Sequence, residues 1–470
     1  MKIENTLKKK TKIISTMGPT FENVDTIKEM FGRGVNVVRL NTSHGDIEEH
    51  GGRIKNVKKV RKELDLPITL LLDTKGPEIR VHEIENKKMP VTIGDKLNIY
   101  CKKEILGKDG SFSVSYTDLS KTVKKGDLIM VDDGKLTLRV ALSNPTTGLV
   151  KVVAENTHYI GTKKAINVPG AELTLPFIAK HDEKFIKWGI TQGIDYVAAS
   201  FVRDGKDLDE LRKLLDDNGG KEILIMSKIE ALTAIHNLNE IISKSDAIML
   251  ARGDLGVEIP YYEVPFYENL IINKCRAWGK PITIATQMLD SMMDNPRPTR
   301  AEVTDVYFAT ISGTDSTMLS GESASGSFPK ESVETMARIQ KEAENNFNYL
   351  GAFESAYAFV ESSNAESAYL VAKKALVEDA KYIFAFSEKG RLVKALSRFR
   401  PNATIIGLIK DKNLINKFGA HYGVYAQFQN DMKAYSSDIK IIKLAKEIGI
   451  KKGSKIIVAN KQEFRTVIVK

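Results

Sequence analysis

The string Ser227-Lys228-Ile229-Glu230 is the strongest local chemical signal in the chain. Residues two apart in a strand share one face, so Lys228 and Glu230 are predicted to point the same way. Asp254 is predicted to end the next strand. Two carboxylates on adjacent strands suit Mg²⁺, and a neighbouring ammonium can neutralise a transferring phosphoryl group. The alternative is a purely structural ion pair, which burial makes costly.

Further polar residues near the predicted strand ends could bind anions or small cations. Arg39 and Arg80 could hold a phosphate in a bidentate grip, and Gly253 would let backbone amides approach a carboxylate or phosphate. Thr286 could manage a proton near a substrate, although a core threonine is an equal interpretation. Four oxygen donors with one formal charge suit a weakly bound monovalent cation, although each could equally be a cap or turn residue: Asn41, Ser43, Asp73 and Thr74.

Eight apolar runs, most of them separated by amphipathic segments, must position these residues. Nearly continuous apolar runs are typical of parallel strands that are buried on both faces. Eight strand–helix units predict an α/β fold, a closed (β/α)8 TIM barrel, with the active site at the carboxyl ends of the strands. The runs are 12–16, 35–41, 68–74, 196–201, 222–230, 247–254, 281–287 and 317–322.

Two segments do not fit the barrel repeat. Residues 77–176 contain short alternating runs with turn signals, which predict an inserted all-β domain that could act as a lid. Beyond about residue 346, a predicted helix precedes four short strands, as in an open α/β domain. The predicted domains are therefore the barrel in two parts (1–76 and 177–346), the lid (77–176) and the C-terminal α/β domain (347–470).

Composition excludes several classes of protein. The 470 residues carry a net charge of +10, but the basic clusters are short and lack interleaved aromatic residues, so we expect no nucleic-acid partner. No apolar run reaches the roughly 18 residues of a membrane span. The two cysteines, Cys101 and Cys275, lie far apart and favour a reducing compartment, so we expect a cytoplasmic enzyme. Neither a P-loop nor a dinucleotide-binding fingerprint is present.

From the residues alone, the chain is predicted to be a magnesium-dependent barrel enzyme with a small phosphorylated or carboxylated substrate. It would transfer a phosphoryl group, or make and break a carbon–carbon bond through an enolate. A barrel lyase acting on pyruvate would need neither the insertion nor Arg80. A non-catalytic basic binding protein would not need Lys228, Glu230 and Asp254 together.

A series of short strings closely resembles the pyruvate kinase family, in the same order through about residue 345. The resemblance implies a barrel with a β-rich lid and a C-terminal α/β domain, usually assembled as a homotetramer. It also implies phosphoryl transfer from phosphoenolpyruvate to ADP, giving pyruvate and ATP, with Mg²⁺ and generally K⁺. The strings include NVVRLN (36–41), LDTKGPEIR (72–80), SKIE (227–230), ARGDLG (251–256), ATQML (285–289), PRPTRAE (296–302) and MLSGE (318–322).

Matching positions also imply catalytic roles. Lys228 is expected to stabilise the transferring phosphoryl group. Thr286 and Ser320 are expected to organise the water that protonates the enolate. The expected phosphoenolpyruvate contacts are Arg39, Lys228, Gly253, Asp254 and Thr286.

The same comparison implies the cation and nucleotide positions. Glu230 and Asp254 match the magnesium ligands of the family. The matching potassium ligands are Asn41, Ser43, Asp73 and Thr74, and the matching nucleotide-side residues are Asn41, His44, Arg80 and Lys164.

The C-terminal domain departs from the regulated members of the family. Those members grip a sugar bisphosphate with a hydroxyl-rich loop, whereas residues 387–392 here read SEKGRL. The chain also ends at residue 470 without the long glycine-rich loop of those members. Activation by fructose bisphosphate is therefore not expected.

Overall fold

The computed structural model describes residues 9–171, 173–357 and 363–470. Within these residues, eight parallel strands close into a barrel, a β-rich unit is inserted after the third barrel strand, and a five-stranded sheet follows the barrel. This architecture confirms the predicted fold class, whereas the domain boundaries at 76, 176 and 346 stay a prediction. In chain order, β1 to β22 are Lys12–Thr16, Val37–Asn41, Thr69–Asp73, Ile79–Arg80, Lys88–Val91, Lys96–Tyr100, Ser111–Ser113, Leu128–Val131, Leu136–Asn144, Leu149–Ala154, His158–Gly161, Ala165–Asn167, Tyr196–Ala199, Leu224–Ile229, Ala247–Ala251, Ile282–Ala285, Ser316–Leu319, Tyr382–Ser387, Thr404–Ile409, Val424–Phe428, Lys455–Ala459 and Phe464–Ile468.

Two of the barrel helices begin at reciprocal side-chain caps. Asp46 and Glu49 form a reciprocal capping box at the start of the second helix, and Thr299 and Glu302 do the same at the start of the tenth. In chain order, α1 to α16 are Val24–Arg33, Ile47–Leu64, Leu119–Thr122, Lys180–Thr191, Gly205–Asp217, Leu232–His236, Leu238–Lys244, Arg252–Glu258, Val264–Trp278, Arg300–Ile311, Gly321–Ala324, Pro329–Asn345, Tyr349–Tyr357, Ser363–Val377, Arg391–Arg398 and Asp438–Glu447.

The barrel closes in the order β1-β17-β16-β15-β14-β13-β3-β2, with neighbouring strands parallel. The carboxyl ends of these strands therefore meet on one face, which we call the rim. The predicted run 12–16 matches β1, whereas the other seven predicted runs extend beyond their strands. The run 247–254 stops being a strand at Ala251, because α8 begins at Arg252, so the prediction that Asp254 ends a strand was wrong. The run 317–322 likewise leaves the barrel at Leu319.

The inserted unit packs around its own apolar core, which includes Phe112, Ile129 and Leu138. Its main sheet has the order β4-β12-β8-β9-β10-β6-β7, and β5 pairs with β11. The unit touches the rim at α8, where the Asn167 side-chain amide donates to Glu258 at 3.1 Å. The inserted sheet thus stands beside the carboxyl ends of the barrel strands.

The C-terminal sheet has the order β20-β19-β18-β21-β22 and packs against the amino-terminal end of the barrel. The buried Lys12 ammonium donates to the Val424 carbonyl at 2.7 Å, and the Tyr196 hydroxyl donates to the Lys417 carbonyl at 2.9 Å. Ala420 packs among apolar residues of the barrel interior. The C-terminal unit therefore covers the end of the barrel opposite the rim.

Replacing Asp315 by alanine is expected to destabilise this contact by about 3–5 kcal/mol, because the buried Arg400 guanidinium would lose its carboxylate. Asp315 accepts hydrogen bonds from Arg400 at 2.6 Å and from the backbone amides of Ile282 and Tyr422 at 3.0 Å each. Thermal unfolding at one fixed scan rate measures the effect. The control Asp217→Ala removes an exposed ion pair with Lys213 and should change little. Equal melting temperatures for the two variants would contradict the prediction.

Candidate active site

Lys228 and Glu230 lie at the carboxyl end of β14 and point into the mouth of the barrel. The Lys228 ammonium lies 2.8 Å from Glu230 Oε1, and both residues are buried. The second oxygen of Glu230 accepts a hydrogen bond from the Phe201 backbone amide at 2.6 Å. The ion pair considered from the sequence is therefore present, and further charged groups surround it.

Asp73, at the end of β3, lies between two cationic side chains. Its Oδ2 accepts a hydrogen bond from Arg39 Nε at 2.5 Å, and its Oδ1 lies 3.4 Å from the Lys228 ammonium. Arg39 also donates to the Thr16 hydroxyl at 2.9 Å, which orients the guanidinium on the first two barrel strands. Side chains from β2 and β14 thus share the buried carboxylate on β3.

Burial and charge act against each other on these groups. Burial alone would raise the pKa of Asp73, but Arg39 and Lys228 outweigh it and hold the pKa below its ordinary value. Burial alone would lower the pKa of Lys228, but Asp73, Glu230 and Asp254 raise it, so the side chain stays an ammonium. For Glu230 and Asp254, burial raises the pKa more than Lys228 lowers it. The site therefore holds two carboxyls whose negative charge the surrounding side chains compensate only in part.

Asp254 reaches this cluster from the first turn of α8, within hydrogen-bonding reach of Glu230. The preceding residue, Gly253, donates its amide to the Thr286 hydroxyl at 2.7 Å. Thr286 lies just after β16 with a φ of 72°, an uncommon conformation for a β-branched residue. Residues Gly253, Asp254 and Thr286 thus come together at the ends of neighbouring strands, as a contact surface for one small ligand requires.

The side chain of Arg252 faces away from this surface and fixes the start of α8. Its guanidinium contacts both oxygens of Asp305, at 2.6 and 2.7 Å, and also donates to the Thr286 carbonyl at 3.0 Å. Ser320 follows β17, the strand next to β16, and its amide donates to Glu322 at 2.7 Å. Thr286 and Ser320 therefore stand at adjacent strand ends.

The oxygen-rich set lies at the ends of β2 and β3. Asn41 is in register with Asp73, and its side-chain oxygen accepts a hydrogen bond from the Ser43 amide at 3.1 Å. The Thr74 hydroxyl donates to the Ala198 carbonyl at 3.2 Å. All four residues of the set thus belong to two adjacent strand ends, next to Arg39 and Lys228.

Of the nucleotide-side residues, Arg80 and Lys164 lie in the inserted unit and His44 is exposed after β2. Arg80 forms an ion pair with Glu78 at 2.6 Å, and the Lys164 ammonium lies 2.8 Å from Asp132. Arg80 pairs with Ala165, the residue after Lys164, across the β4–β12 ladder. The structure therefore places both cations along one edge of the inserted sheet.

Sequence reasoning missed Ser200 and Thr16. Ser200 follows β13, and its hydroxyl accepts a hydrogen bond from Lys228 at 2.8 Å. Ser200 lies near the end of the predicted run 196–201, and Thr16 ends the predicted run 12–16. The rule that barrel strands carry their chemistry at the carboxyl end could therefore have found them. Their hydroxyls are uncharged, so nothing in the sequence distinguished them from ordinary serine and threonine residues.

Two further properties of the described residues bear on the type of site. Within 9–171, 173–357 and 363–470, no three His, Cys, Asp or Glu side chains are grouped as metal ligands. A magnesium site built on Glu230 and Asp254 would use two protein carboxylates and take its other ligands from substrate and water. None of the helices in these ranges combines the length and the apolar character that a membrane span requires.

Comparisons with known proteins identify both folded parts of the chain. A family model described as "Pyruvate kinase, barrel domain" matches residues 8–333. A second model, "Pyruvate kinase, alpha/beta domain", matches residues 365–467.

Similar proteins cover nearly the whole chain. Pyruvate kinase of Clostridium acetobutylicum is 41% identical over 454 residues, which are 96% of this chain and 95% of that protein. Pyruvate kinase of Clostridium perfringens is 39% identical over 96% of each chain. A crystal structure of a pyruvate kinase from Cryptosporidium parvum superposes with a TM-score of 0.92 at 33% identity, covering 98% of this chain and 97% of that one. Matches of this extent, over both the barrel and the C-terminal unit, show that the chain belongs to the pyruvate kinase family, a family of phosphotransferases.

Proposed function

We propose that the chain transfers the phosphoryl group of phosphoenolpyruvate to ADP, giving pyruvate and ATP, at the barrel rim. The main structural support is the buried ammonium of Lys228, which lies 2.8 Å from Glu230 and 3.4 Å from Asp73. Phosphoryl transfer requires alignment and neutralisation of charge more than covalent chemistry. A buried ammonium that cannot be deprotonated easily is suited to that task.

Three groups of residues are proposed to hold phosphoenolpyruvate. Arg39 and Lys228 supply positive charge for its phosphoryl group. The backbone at Gly253 and Asp254 can receive its carboxylate at the start of α8, where amides have no acceptor within the helix. The Gly253 amide would exchange the Thr286 hydroxyl for a carboxylate oxygen. Thr286 and Ser320, at adjacent strand ends, are proposed to organise the water that protonates the enolate.

We propose that Glu230 and Asp254 bind Mg²⁺. The fit is electrostatic, because both carboxyls have a raised pKa that results chiefly from burial. A divalent cation beside them would supply the missing positive charge and would polarise the phosphoryl oxygens. The proposed K⁺ ligands, at the ends of β2 and β3, supply amide, hydroxyl and carboxylate oxygens: Asn41, Ser43, Asp73 and Thr74.

The nucleotide is proposed to bind between the rim and the inserted sheet. Arg80 and Lys164 line one edge of that sheet and would exchange their present partners, Glu78 and Asp132, for phosphate oxygens. Asn41, at the end of β2, and His44, in the loop that follows, would also contribute. A cytoplasmic location is also proposed, because both cysteines are buried free thiols.

A homotetramer is proposed as the working assembly. Large side chains project from the surface formed by α9, α10 and the turn before α9, and Tyr261 and Phe266 are 79% and 66% exposed. Phe308 on α10 is 56% exposed and lines the same surface cavity as Tyr261. Contiguous exposed apolar groups mark association surfaces. This surface is therefore offered as one of the contacts between copies of the chain.

Replacing Phe266 by glutamate is expected to dissociate the assembly at this surface, because the interface would have to bury an unpaired charge. Sedimentation velocity should show a tetramer for the natural chain and smaller species for Phe266→Glu. The control Ile93→Glu changes an exposed apolar residue of the inserted unit and should leave the tetramer intact. A tetramer that persists in Phe266→Glu would contradict the proposed surface.

Replacing Lys228 by methionine should lower the turnover number by at least about 100- to 1,000-fold, because a positioned positive charge is removed. Pyruvate release that depends on phosphoenolpyruvate and ADP is measured with and without K⁺. The control Lys12→Met removes a buried lysine nitrogen at the opposite end of the barrel and should leave the turnover number near its natural value. Near-normal turnover in Lys228→Met would refute the role proposed for Lys228. Absence of ADP-dependent pyruvate release by the natural chain would refute the proposed function.

Replacing Glu230 by glutamine should raise the Mg²⁺ concentration needed for half-maximal rate by at least about tenfold. The amide keeps an oxygen for the Phe201 amide but removes the charge that binds the cation. A magnesium titration of the rate measures the change. Glu344→Gln is the matched control, because Glu344 is a buried carboxylate that accepts backbone amides at the opposite end of the barrel. Superimposable titrations for the two variants would count against the assignment.

A further inference from the structure

The hydroxyl of Ser200 lies between Lys228 and the end of β3. Its Oγ accepts a hydrogen bond from the Lys228 ammonium at 2.8 Å and lies 2.6 Å from the Thr74 carbonyl. The Ser200 amide donates to the Thr74 hydroxyl at 3.0 Å. Ser200 is only 2% exposed, so water does not compete for these contacts.

The direction of this chain of hydrogen bonds follows from the chemistry of its members. An ammonium only donates, and a carbonyl only accepts. The single proton of the Ser200 hydroxyl must therefore point to the Thr74 carbonyl, while a lone pair of Oγ receives Lys228. Asp73 Oδ1, at 3.4 Å from Ser200 Oγ, is the more distant acceptor. Hydrogen bonds in such a series polarise one another in a low-dielectric interior.

Ser200 differs from the other two partners of Lys228 in its charge. Asp73 and Glu230 attract the ammonium but also neutralise the charge that a transferring phosphoryl group requires. A hydroxyl holds the ammonium in place and leaves its charge intact. Because a lysine side chain has four rotatable bonds and a large rotamer entropy, a third fixed acceptor narrows its position considerably.

We propose that Ser200 is a positioning residue that links Lys228 to the strand end carrying Asp73 and Thr74. In this arrangement, a monovalent cation that orders Asp73 and Thr74 also orders the hydroxyl that holds Lys228. The inference rests on the proposed function, since it assigns K⁺ to that strand end and phosphoryl stabilisation to Lys228. It adds a physical route by which K⁺ and Lys228 depend on each other.

A purely structural role would predict something else. Loss of the hydroxyl would then only leave two buried polar groups short of a partner and lower the stability. Ser227 serves as the control for a purely structural hydroxyl. It precedes Lys228 on β14 and faces the other side of the strand, where its hydroxyl forms a hydrogen bond with the Ser245 hydroxyl at 2.6 Å. It is fully buried as well.

The test compares Ser200→Ala, Ser200→Cys and Ser227→Ala with the natural chain. Ser200→Ala is expected to lower the turnover number by about 10- to 100-fold, as small displacements of a catalytic group do. The KM for phosphoenolpyruvate should change much less, and the K⁺ concentration for half-activation should rise. Ser200→Cys replaces the hydroxyl by a somewhat larger and weaker hydrogen-bonding group, so its turnover number should fall between those of the natural chain and Ser200→Ala. Ser227→Ala should keep natural kinetics.

A second measurement does not depend on turnover. K⁺ is compared with tetramethylammonium at equal ionic strength for its effect on the melting temperature. The stabilisation by K⁺ should be reduced in Ser200→Ala and retained in Ser227→Ala. Kinetics or K⁺ stabilisation that are the same in Ser200→Ala as in Ser227→Ala would overturn the inference. If the natural chain releases no ADP-dependent pyruvate, the proposed function fails, and the K⁺ stabilisation alone decides whether Ser200 is linked to the cation site.

Discussion

The buried carboxylate of Asp73 is the constraint on which the rest of the site depends. A charge without exposure to water is tolerated only when ion pairs and hydrogen bonds compensate its desolvation. Arg39 and Lys228 provide that compensation from β2 and β14. In the barrel order β14-β13-β3-β2, Arg39 lies on the strand next to Asp73 and Lys228 lies two strands away. The three charges therefore meet only after β3 has paired with β13 across the inserted unit. Folding and assembly of the site are therefore one event.

The amino-terminal end of the barrel contributes mainly to stability, whereas the rim carries the groups that can bind ligands. At the amino-terminal end, buried polar groups such as Lys12 and the Arg400–Asp315 pair are fully engaged with the C-terminal unit. At the rim, the carboxyls of Glu230 and Asp254 are compensated only in part. Groups that are left under-compensated at a rim are available to ligands, which is why barrel enzymes use that end.

The sequence predicted the fold well where patterns are local. The strand predicted at residues 12–16 matches β1 at both ends. Asp254 was misassigned because α8 follows β15 without a loop, so the sequence shows no break between the strand and the helix. Ser200 was missed because its importance lies in a neighbour 28 positions away, which no local pattern reveals.

The charge balance of the rim explains why such a site would require cations. In the described part of the chain, the cluster joins Arg39 and Lys228 to three carboxyls, Asp73, Glu230 and Asp254, so its ionised form has a net charge of −1. An anionic substrate would be repelled by that charge. One divalent cation reverses the sign, and a monovalent cation adds to the attraction. The proposed need for Mg²⁺ and K⁺ would then follow from the same carboxylates that hold Arg39 and Lys228 in place. Removing those carboxylates would release both cationic side chains.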